Sequence, residues 1–134
     1  MEIRKAREKD LPSTTALAEK FDLDHRNMRA DKFWIAEENG LIIGIGQVIM
    51  HKDCTEIASV GVLPEFQKKG IGSAIVKKLL EGLSGEIYLA TIKPKYFERF
   101  GFKKTLQIPP SMLKKEEWCE GCQKELCNVM VLKK

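Results

Sequence analysis

The chain has 134 residues, of which 43% are hydrophobic and 31% are charged. This is the size and balance of one ordinary globular domain with a single core. No run of about 18 apolar residues is present, so no membrane-spanning helix is expected. The charged first ten residues lack the apolar stretch of a signal peptide, so a cytoplasmic protein is expected. The 23 basic and 19 acidic residues give a net charge of +4 and are interspersed, which argues against a nucleic-acid-binding face.

The first 32 residues predict one strand and two helices. Ile3–Arg7 alternates weakly between polar and apolar residues, as a strand does. Asp10 belongs to the residue types that cap helices, and Pro12 would stand in the first turn of a helix that runs to about Phe21. The segment His25–Lys32 predicts a second short helix.

A β-hairpin is predicted next. Phe33–Glu38 and Leu41–Met50 both have the composition of strands, and Asn39–Gly40 stands between them. Asn-Gly is the strongest hairpin signal in the sequence because both residues tolerate positive φ. Gly44 and Gly46 lie on one face of the second strand, where their missing side chains would let another element pack very close.

A strand–helix–strand unit follows the hairpin. Thr55–Leu63 and Glu86–Ile92 predict strands, and Ile71–Leu83 between them predicts a helix. The helix carries an apolar stripe at helical spacing, formed by Ile71, Ile75, Val76, Leu79, Leu80 and Leu83. Two strands joined through a helix are expected to lie parallel with a right-handed crossover, whereas the earlier strands are expected to form an antiparallel meander.

The C-terminal third predicts a short helix and two further strands. Tyr96–Phe100 is read as a short helix ended by Gly101, and Phe102–Gln107 and Val129–Lys133 as strands; Pro109–Pro110 interrupts the chain between them. The predicted order is therefore β-α-α-β-β-β-α-β-α-β-β. This order indicates an α/β fold with a mixed central sheet and helices on both faces, in a single domain over residues 1–134.

The stretch Gln67–Ser73, QKKGIGS, lies between a predicted strand and a predicted helix. Gly70 and Gly72 would let a ligand lie against the backbone, and the first amides of the helix would form an anion site. The stretch is not a Walker loop, and Ile75 stands where a dinucleotide fingerprint needs its third glycine. A lone Gly-x-Gly also occurs in plain helix-entry turns, so the surrounding phrase decides the interpretation.

That phrase, ASVGVLPEFQKKGIGSAIVKKLL, resembles the acetyl-coenzyme A motif of the GNAT superfamily of N-acetyltransferases, [Q/R]-x-x-G-x-[G/A]. Gln67, Gly70 and Gly72 match its three defining positions. Tyr96–Phe102, YFERFGF, resembles the family's second motif, a short helix ending in Gly-Phe. The element order fits over residues 2–133. The resemblance implies an enzyme that transfers an acetyl group from acetyl-coenzyme A to a primary amine.

The resemblance also implies roles for residues around this loop. Backbone amides of six consecutive residues would hold the pyrophosphate of coenzyme A, and Gln67 would help to shape the loop. These six residues are Lys68, Lys69, Gly70, Ile71, Gly72 and Ser73. The backbone of Val60 and Val62 would pair with the pantetheine arm as a strand does. An amide among Val60, Gly61 and Val62 would polarise the thioester carbonyl, at a cleft where the two parallel strands splay apart.

Two residues are candidates for proton transfer in such a reaction. Glu56, at the start of a strand, is the candidate general base, acting through a water molecule; the alternative is an exposed strand-end carboxylate. Many family members use a tyrosine of the second motif as general acid, but the alignment puts Phe97 at that position, among the cofactor-contacting residues. Tyr96, one residue earlier, is then the candidate acid or a packing residue. The thiolate leaving unaided is the other alternative.

Three cysteines, Cys119, Cys122 and Cys127, fall within nine residues. Zinc needs four ligands, and Cys54 or His51 would have to complete the set from a distant part of the chain. No metal site is therefore predicted, and a redox pair of Cys119 and Cys122 or unconnected thiols are favoured. A zinc site completed from elsewhere in the chain is the remaining alternative.

The tail resembles that of GNAT proteins that act as amino-acid acetyltransferases, which have a Cys-x-x-Cys and a third Cys before the last strand. This favours a small amino acid, such as glutamate, as acceptor. Arg26, Arg29 and Lys32 would then clamp a carboxylate or simply be solvated. A protein amine as acceptor and a non-catalytic acyl-coenzyme A sensor are the alternatives, and the oligomeric state is open, with a homodimer among the choices.

Overall fold

The computed structural model describes residues 1–20, 30–91, 93–113 and 128–134. The strands are β1 (Glu2–Lys5), β2 (Phe33–Glu38), β3 (Leu41–Met50), β4 (Thr55–Val62), β5 (Glu86–Thr91), β6 (Lys103–Lys104) and β7 (Asn128–Lys133). The α-helices are α1 (Leu11–Lys20), α2 (Ile71–Glu81), α3 (Pro94–Glu98) and α4 (Pro110–Leu113). Short 3-10 turns cover Glu8–Asp10, Ala30–Lys32 and Pro64–Phe66.

The seven strands form one mixed sheet in the order β1-β2-β3-β4-β5-β7-β6. The pairs β1–β2, β2–β3, β5–β7 and β6–β7 are antiparallel. The pair β4–β5 is parallel, with Thr55 opposite Ile87 and Glu56 opposite Tyr88. The predicted mixed α/β fold is thus confirmed, and so is the parallel pair that flanks α2.

The described residues divide into two compact units, Met1–Val48 with Ile57–Gly82 and Ile49–Glu56 with Leu83–Lys134. In the first unit, β1, α1 and the hairpin of β2 and β3 bury a common apolar cluster. Its members are Ala6, Ala18, Phe33, Ile35, Ile42 and Ile45, with Leu11 and Leu17 packed against them. This burial is the main favourable term that holds α1 against the strands.

The β2–β3 hairpin has the two-residue turn that its sequence predicts. Asn39 and Gly40 take φ values of 52° and 81°, and Glu38 faces Leu41 across the turn. Both strands have the predicted bounds. The turn chemistry therefore fixes the register of this hairpin.

Helix α2 packs very close to β3 at the two strand glycines. A Cβ added at Gly44 would lie 2.9 Å from Ile75 Cδ1, and one added at Gly46 would lie 2.7 Å from Ile75 Cγ2 and 3.0 Å from Leu79 Cδ1. Real Cβ atoms do not approach other atoms so closely, so this packing of α2 on β3 requires glycine at both positions. The predicted close approach is confirmed.

In the second unit, β5 and β7 pair along their whole length, from Glu86 opposite Lys133 to Thr91 opposite Asn128. Gly85 and Lys134 close this ladder with two backbone hydrogen bonds of 3.2 and 2.8 Å. Among the described residues of the unit, the fully buried apolar side chains include Ile87, Leu89, Phe102, Met112 and Met130.

Several element ends differ from the sequence-based expectation. The first strand lies at Glu2–Lys5, earlier than predicted, and α2 ends at Glu81 because Gly82 caps it. Helix α3 begins at Pro94, which suits the first helical turn. The strand predicted to reach Gln107 covers two residues only.

Two local interactions explain the short β6 and an unpredicted helix. After β6, the Gln107 amide donates to Thr105 Oγ1 over 3.1 Å, and this side-chain turn competes with the strand ladder. Helix α4 was not predicted; the Ser111 amide and hydroxyl both donate to the carboxylate of Asp53, which satisfies orphan donors at the helix start.

Part of the predicted helix over residues 25–32 lies outside the described residues; its described end, Ala30–Lys32, is a 3-10 turn. Asp10 directly precedes α1, as predicted. Among the described ranges, no helix is long and apolar enough to cross a membrane.

Candidate functional site

The loop between β4 and α2 has the backbone conformations of an anion-binding turn. After the 3-10 turn Pro64–Phe66, Lys68 takes a φ of 65° and Gly70 a φ of 80°, and α2 begins at Ile71. Left-handed residues within a turn bring successive backbone N–H groups to one side. The first amides of an α-helix add further donors and the positive end of its dipole. This arrangement suits a phosphate group.

Gln67 connects the loop to the end of β4. Its side-chain Nε2 donates to the carbonyl oxygen of Val62 over 3.0 Å. At the same strand end, the amide of Leu63 donates to the carbonyl oxygen of Ile43 over 2.8 Å. The first bond ties the loop back to β4, in line with the loop-shaping role expected for Gln67, and the second ties the end of β4 to β3.

Gly70 borders free space. A Cβ added there would meet no other atom within 4 Å, although its φ of 80° disfavours any side chain. Lys68 and Lys69 are exposed beside it, with Lys69 Nζ 5.5 Å from the Phe66 ring centroid. The loop therefore combines exposed cations with open space, as the phosphates of a bound cosubstrate require. The residues present fit the pyrophosphate of coenzyme A.

Strand β4 is irregular at Ser59, a feature that the sequence analysis missed. Ser59 takes a φ of 56°, which is costly for a residue with a Cβ. Its buried hydroxyl accepts a 2.8 Å hydrogen bond from Gln47 Nε2. Val60, Gly61 and Val62, the three residues expected to meet the pantetheine arm, follow directly and are half-buried.

Glu56, the second residue of β4, is buried, with 1% of its surface exposed. Its Oε1 lies 2.8 Å from Nε2 of His51. The alternative of an exposed strand-end carboxylate is therefore wrong. In the sequence analysis His51 was considered only as a metal ligand. The available sequence signal was its position five residues before Glu56.

Three titratable groups in the β3–β4 turn and on β5, near Glu56 and His51, have shifted pKa values. Burial raises the pKa of the Cys54 thiol to about 11, so this thiol stays protonated and is a poor nucleophile. Burial and then the hydrogen bond to Glu86 raise the pKa of Tyr88. Hydrogen bonds from Ser111 lower the pKa of the exposed Asp53 carboxyl.

Helix α3 holds an aromatic cluster. The Tyr96 ring lies edge-on to Phe97 and Phe100, with centroid distances of 5.0 and 5.7 Å, and the Arg99 guanidinium lies 4.6 Å from the Tyr96 centroid. Phe97 contacts Phe102 in turn, at 6.2 Å. Both candidate residues of this motif are half-buried. Consecutive helical residues point about 100° apart, so the side chains of Tyr96 and Phe97 leave the helix in different directions.

The predicted cysteine cluster, Cys119, Cys122 and Cys127, lies outside the described residues, as do Arg26 and Arg29. Lys32 is half-buried directly before β2. Within the described part of the chain, no three His, Cys, Asp or Glu residues are grouped in a way that would hold a metal ion.

A model of the acetyltransferase (GNAT) domain family matches residues 29–104. This match includes all of β2 to β5 and the loop before α2. The N-acetylglutamate synthase of Neisseria gonorrhoeae, solved with coenzyme A and N-acetyl-glutamate, has a similar fold, with a TM-score of 0.77 at 22% identity over 98% of this chain and 34% of its own.

Two relatives align over most of the chain. An N-acetyltransferase of Chlorobaculum tepidum is 30% identical over 110 residues, which are 76% of this chain and 69% of the relative. An amino-acid acetyltransferase of Mycobacterium tuberculosis is 28% identical over 135 residues, covering 89% of this chain and 78% of the relative. The sequence resemblance is thereby confirmed, and the chain belongs to the GNAT family of acetyltransferases.

Proposed function

We propose that this protein transfers the acetyl group of acetyl-coenzyme A to the primary amine of a small molecule, and that the acceptor is an amino acid such as glutamate. The observation that carries the transferase function is the loop before α2, with its two left-handed residues, its exposed lysines and the open space at Gly70. Membership of the acetyltransferase family supports acetyl-coenzyme A as the cosubstrate.

The backbone amides over residues 68–73 hold the pyrophosphate in this proposal. The helix dipole favours negative charge there, and Lys68 and Lys69 add positive charge at the loop surface. Gln67 keeps the loop in place through its bond to Val62. When bound, acetyl-coenzyme A supplies a thioester, which an amine attacks more readily than an ordinary ester or amide.

The end of β4 orients the acyl group. The backbone of Val60 and Val62 pairs with the pantetheine arm, and an amide within Val60–Val62 donates to the thioester oxygen as negative charge develops on it. The left-handed φ of Ser59 within β4 supports this assignment, because a residue of this conformation departs from regular strand geometry directly before Val60–Val62.

Glu56 is the general base that takes a proton from the acceptor ammonium, directly or through a water molecule. A buried carboxylate with a fixed hydrogen-bond partner has the character of many catalytic bases. Tyr96 protonates the departing thiolate, or the thiolate leaves unaided. The edge contacts of the Tyr96 ring with Phe97 and Phe100 agree equally well with a packing role.

Three observations support an amino acid as acceptor. The relative from Mycobacterium tuberculosis is an amino-acid acetyltransferase, and the neighbour from Neisseria gonorrhoeae was solved with N-acetyl-glutamate. The cysteine pattern of the tail resembles that of amino-acid acetyltransferases. In this proposal Lys32, half-buried before β2, contributes positive charge for the acceptor carboxylate.

The proposal is tested by thiol release from acetyl-coenzyme A with a panel of free amino acids, polyamines and short peptides. Glutamate or another free amino acid should give the highest kcat/KM. A higher kcat/KM with a peptide would indicate that the acceptor is a protein amine rather than a small molecule. Binding of acetyl-coenzyme A without turnover on any amine would favour the non-catalytic sensor.

A further inference from the structure

Gln47 is a polar side chain in an apolar row of the sheet. It stands opposite Phe33 of β2 and two residues after Ile45 on β3, and such residues share a face of the sheet. Phe33 and Ile45 are 0% exposed, Gln47 is 5% exposed, and the first two belong to the apolar cluster that includes Ala18 of α1. Packing alone favours an apolar residue at such a position, because burying an amide costs free energy unless its polar atoms are paired.

The Gln47 amide has two polar ends, and the structure uses one of them. Nε2 donates to Ser59 Oγ over 2.8 Å. Within the described residues, no hydrogen bond to Gln47 Oε1 is present. In the same part of the chain, every side-chain oxygen or nitrogen that is fully buried has a hydrogen-bond partner. Oε1 is therefore not fully buried, and it can accept a hydrogen bond from a ligand.

The anchored end of the amide fixes where Oε1 lies along β4. Ser59 directly precedes Val60–Val62, the residues assigned above to the pantetheine arm and the thioester. Of the two groups that react there, the thioester oxygen only accepts hydrogen bonds, whereas an ammonium group only donates them. An amide oxygen also only accepts. Of these two groups, the acceptor amine is therefore the one that can pair with Oε1.

We propose that Gln47 is an acceptor-binding residue, whose Oε1 accepts a hydrogen bond from the amine of the acceptor while Nε2 stays bonded to Ser59. The inference rests on the proposed transferase function. The ammonium loses one proton to the general base, and the freed electron pair forms the bond to the thioester carbon. A second proton leaves the nitrogen as the C–S bond breaks, and the sulfur takes up a proton to leave as the thiol. The third hydrogen stays on nitrogen, bonded to Oε1.

This bond orients the amine as well as binding it. With one N–H directed at the base and another at Oε1, the nitrogen cannot rotate freely, and its electron pair keeps one direction during attack. Orientation of this kind lowers the entropic part of the barrier. Loss of Oε1 should therefore weaken acceptor binding and lower turnover, while the binding of coenzyme A is unaffected.

A cycle that changes both the protein and the ligand tests this contact. The ligands are the free amino acid with the highest kcat/KM and the same acid without its amino group, which is glutarate if glutamate is preferred. Their Kd values are measured by calorimetry at saturating coenzyme A, with wild type and with Gln47→Met, which removes the amide and keeps an unbranched side chain. The ratio of the two Kd values should fall about tenfold in Gln47→Met. A general loosening of the fold cancels in this ratio.

Two further variants serve as matched controls. Gln47→Glu keeps an oxygen acceptor, so it should keep most of the Kd ratio. Thr14→Val removes another buried side-chain hydrogen bond, which Thr14 Oγ1 donates to the carbonyl oxygen of Asp10 over 2.8 Å, and it should leave the ratio unchanged. In all three variants the affinity for coenzyme A should stay within about twofold of wild type, since the amide contacts the acceptor in this proposal.

Three results would overturn the inference. They are an unchanged Kd ratio in folded Gln47→Met, a Gln47→Glu protein that loses the ratio as fully as Gln47→Met, and a Thr14→Val protein whose ratio falls equally. If Gln47→Met does not fold, Gln47→Leu is the second apolar variant, and the same ratio decides.

Turnover of the wild-type protein separates this inference from the proposed function. A wild-type protein that binds coenzyme A but acetylates no amine would remove the proposed function, and the role of Gln47 with it. A wild-type protein that acetylates the amino acid, together with an unchanged Kd ratio in Gln47→Met, would remove only the role of Gln47.

Discussion

Gln47 donates a hydrogen bond from Nε2 to Ser59 Oγ over 2.8 Å, between residues that are 5% and 8% exposed. The bond lies at the residue of β4 whose backbone is left-handed. A buried side-chain bond thus holds the strand irregularity that precedes the three residues assigned to the pantetheine arm.

Substitutions at Ser59 should separate the hydrogen bond from the backbone conformation. Ser59→Ala removes the acceptor of the Gln47 amide and keeps a Cβ at positive φ, so unfolding free energy should fall by about 1–3 kcal/mol. Ser59→Gly removes the same acceptor but suits the positive φ, so it should be more stable than Ser59→Ala by about 1 kcal/mol. Urea unfolding of the two variants measures this. Equal stability, or a less stable glycine variant, would mean that the φ at Ser59 carries no strain.

Gly70 has a matched control in the β2–β3 turn. Gly70 and Gly40 have φ values of 80° and 81°, and a Cβ at either would meet nothing within 4 Å. Alanine at either position should therefore cost a similar amount of stability, about 1–2 kcal/mol. Only Gly70→Ala should also weaken coenzyme A binding, by about tenfold, which corresponds to about 1.4 kcal/mol. Isothermal calorimetry decides this, and equal affinities in the two folded variants would contradict the phosphate assignment.

Gly46 is required by the packing of α2 rather than by its φ. An added Cβ would lie 2.7 Å from Ile75 and 3.0 Å from Leu79, so Gly46→Ala should destabilise the protein by about 1–3 kcal/mol through overpacking. Gly82→Ala is the control, because a Cβ there meets nothing within 4 Å, and its stability should stay within about 1 kcal/mol of wild type. Thermal or urea unfolding measures the stability of both variants. A Gly46→Ala protein as stable as wild type would show that α2 can shift away from β3.

Asp10 should make stability depend on acid pH. The hydrogen bond from Arg4, 2.8 Å from the carboxylate, lowers the pKa of Asp10 to about 2, against the opposing effect of burial. The ionised Asp10 carboxylate therefore stabilises the folded state above the ordinary pKa of 3.8, and this stabilisation is lost as pH falls through about 2. Asp10→Asn should lower the free energy of unfolding by roughly 2 kcal/mol at pH 7. The difference from wild type should shrink between about pH 4 and pH 2, and a pH-independent difference in urea unfolding would contradict this account.

Local chemistry made much of the fold predictable. Asn39–Gly40 specified the β2–β3 hairpin. The apolar stripe of α2 specified a helix, and its predicted end at Leu83 was wrong because Gly82 caps the helix. The motif around Gln67 located the loop, because the whole phrase between β4 and α2, and not the glycine pair alone, is specific. These features depend on neighbours in sequence.

The features that sequence analysis missed depend on tertiary contacts or on a single backbone angle. Helix α4 is stabilised at its start by Asp53, 58 residues earlier, and no sequence pattern near Ser111 predicts that hydrogen bond. The left-handed φ of Ser59 is unusual for serine. His51 and Glu56 are only five residues apart, but their contact needs the tight β3–β4 turn, which has no Asn-Gly signal.

The central claim is that a free amino acid receives the acetyl group of acetyl-coenzyme A. The direct measurement is mass spectrometry of the amine product after incubation with isotopically labelled acetyl-coenzyme A and glutamate, with Glu56→Gln as the matched control. The account predicts labelled N-acetyl amino acid in amounts equal to the thiol released, and at least about tenfold less in the control. Thiol release without any acetylated amino acid, or labelled product formed equally by Glu56→Gln, would contradict it.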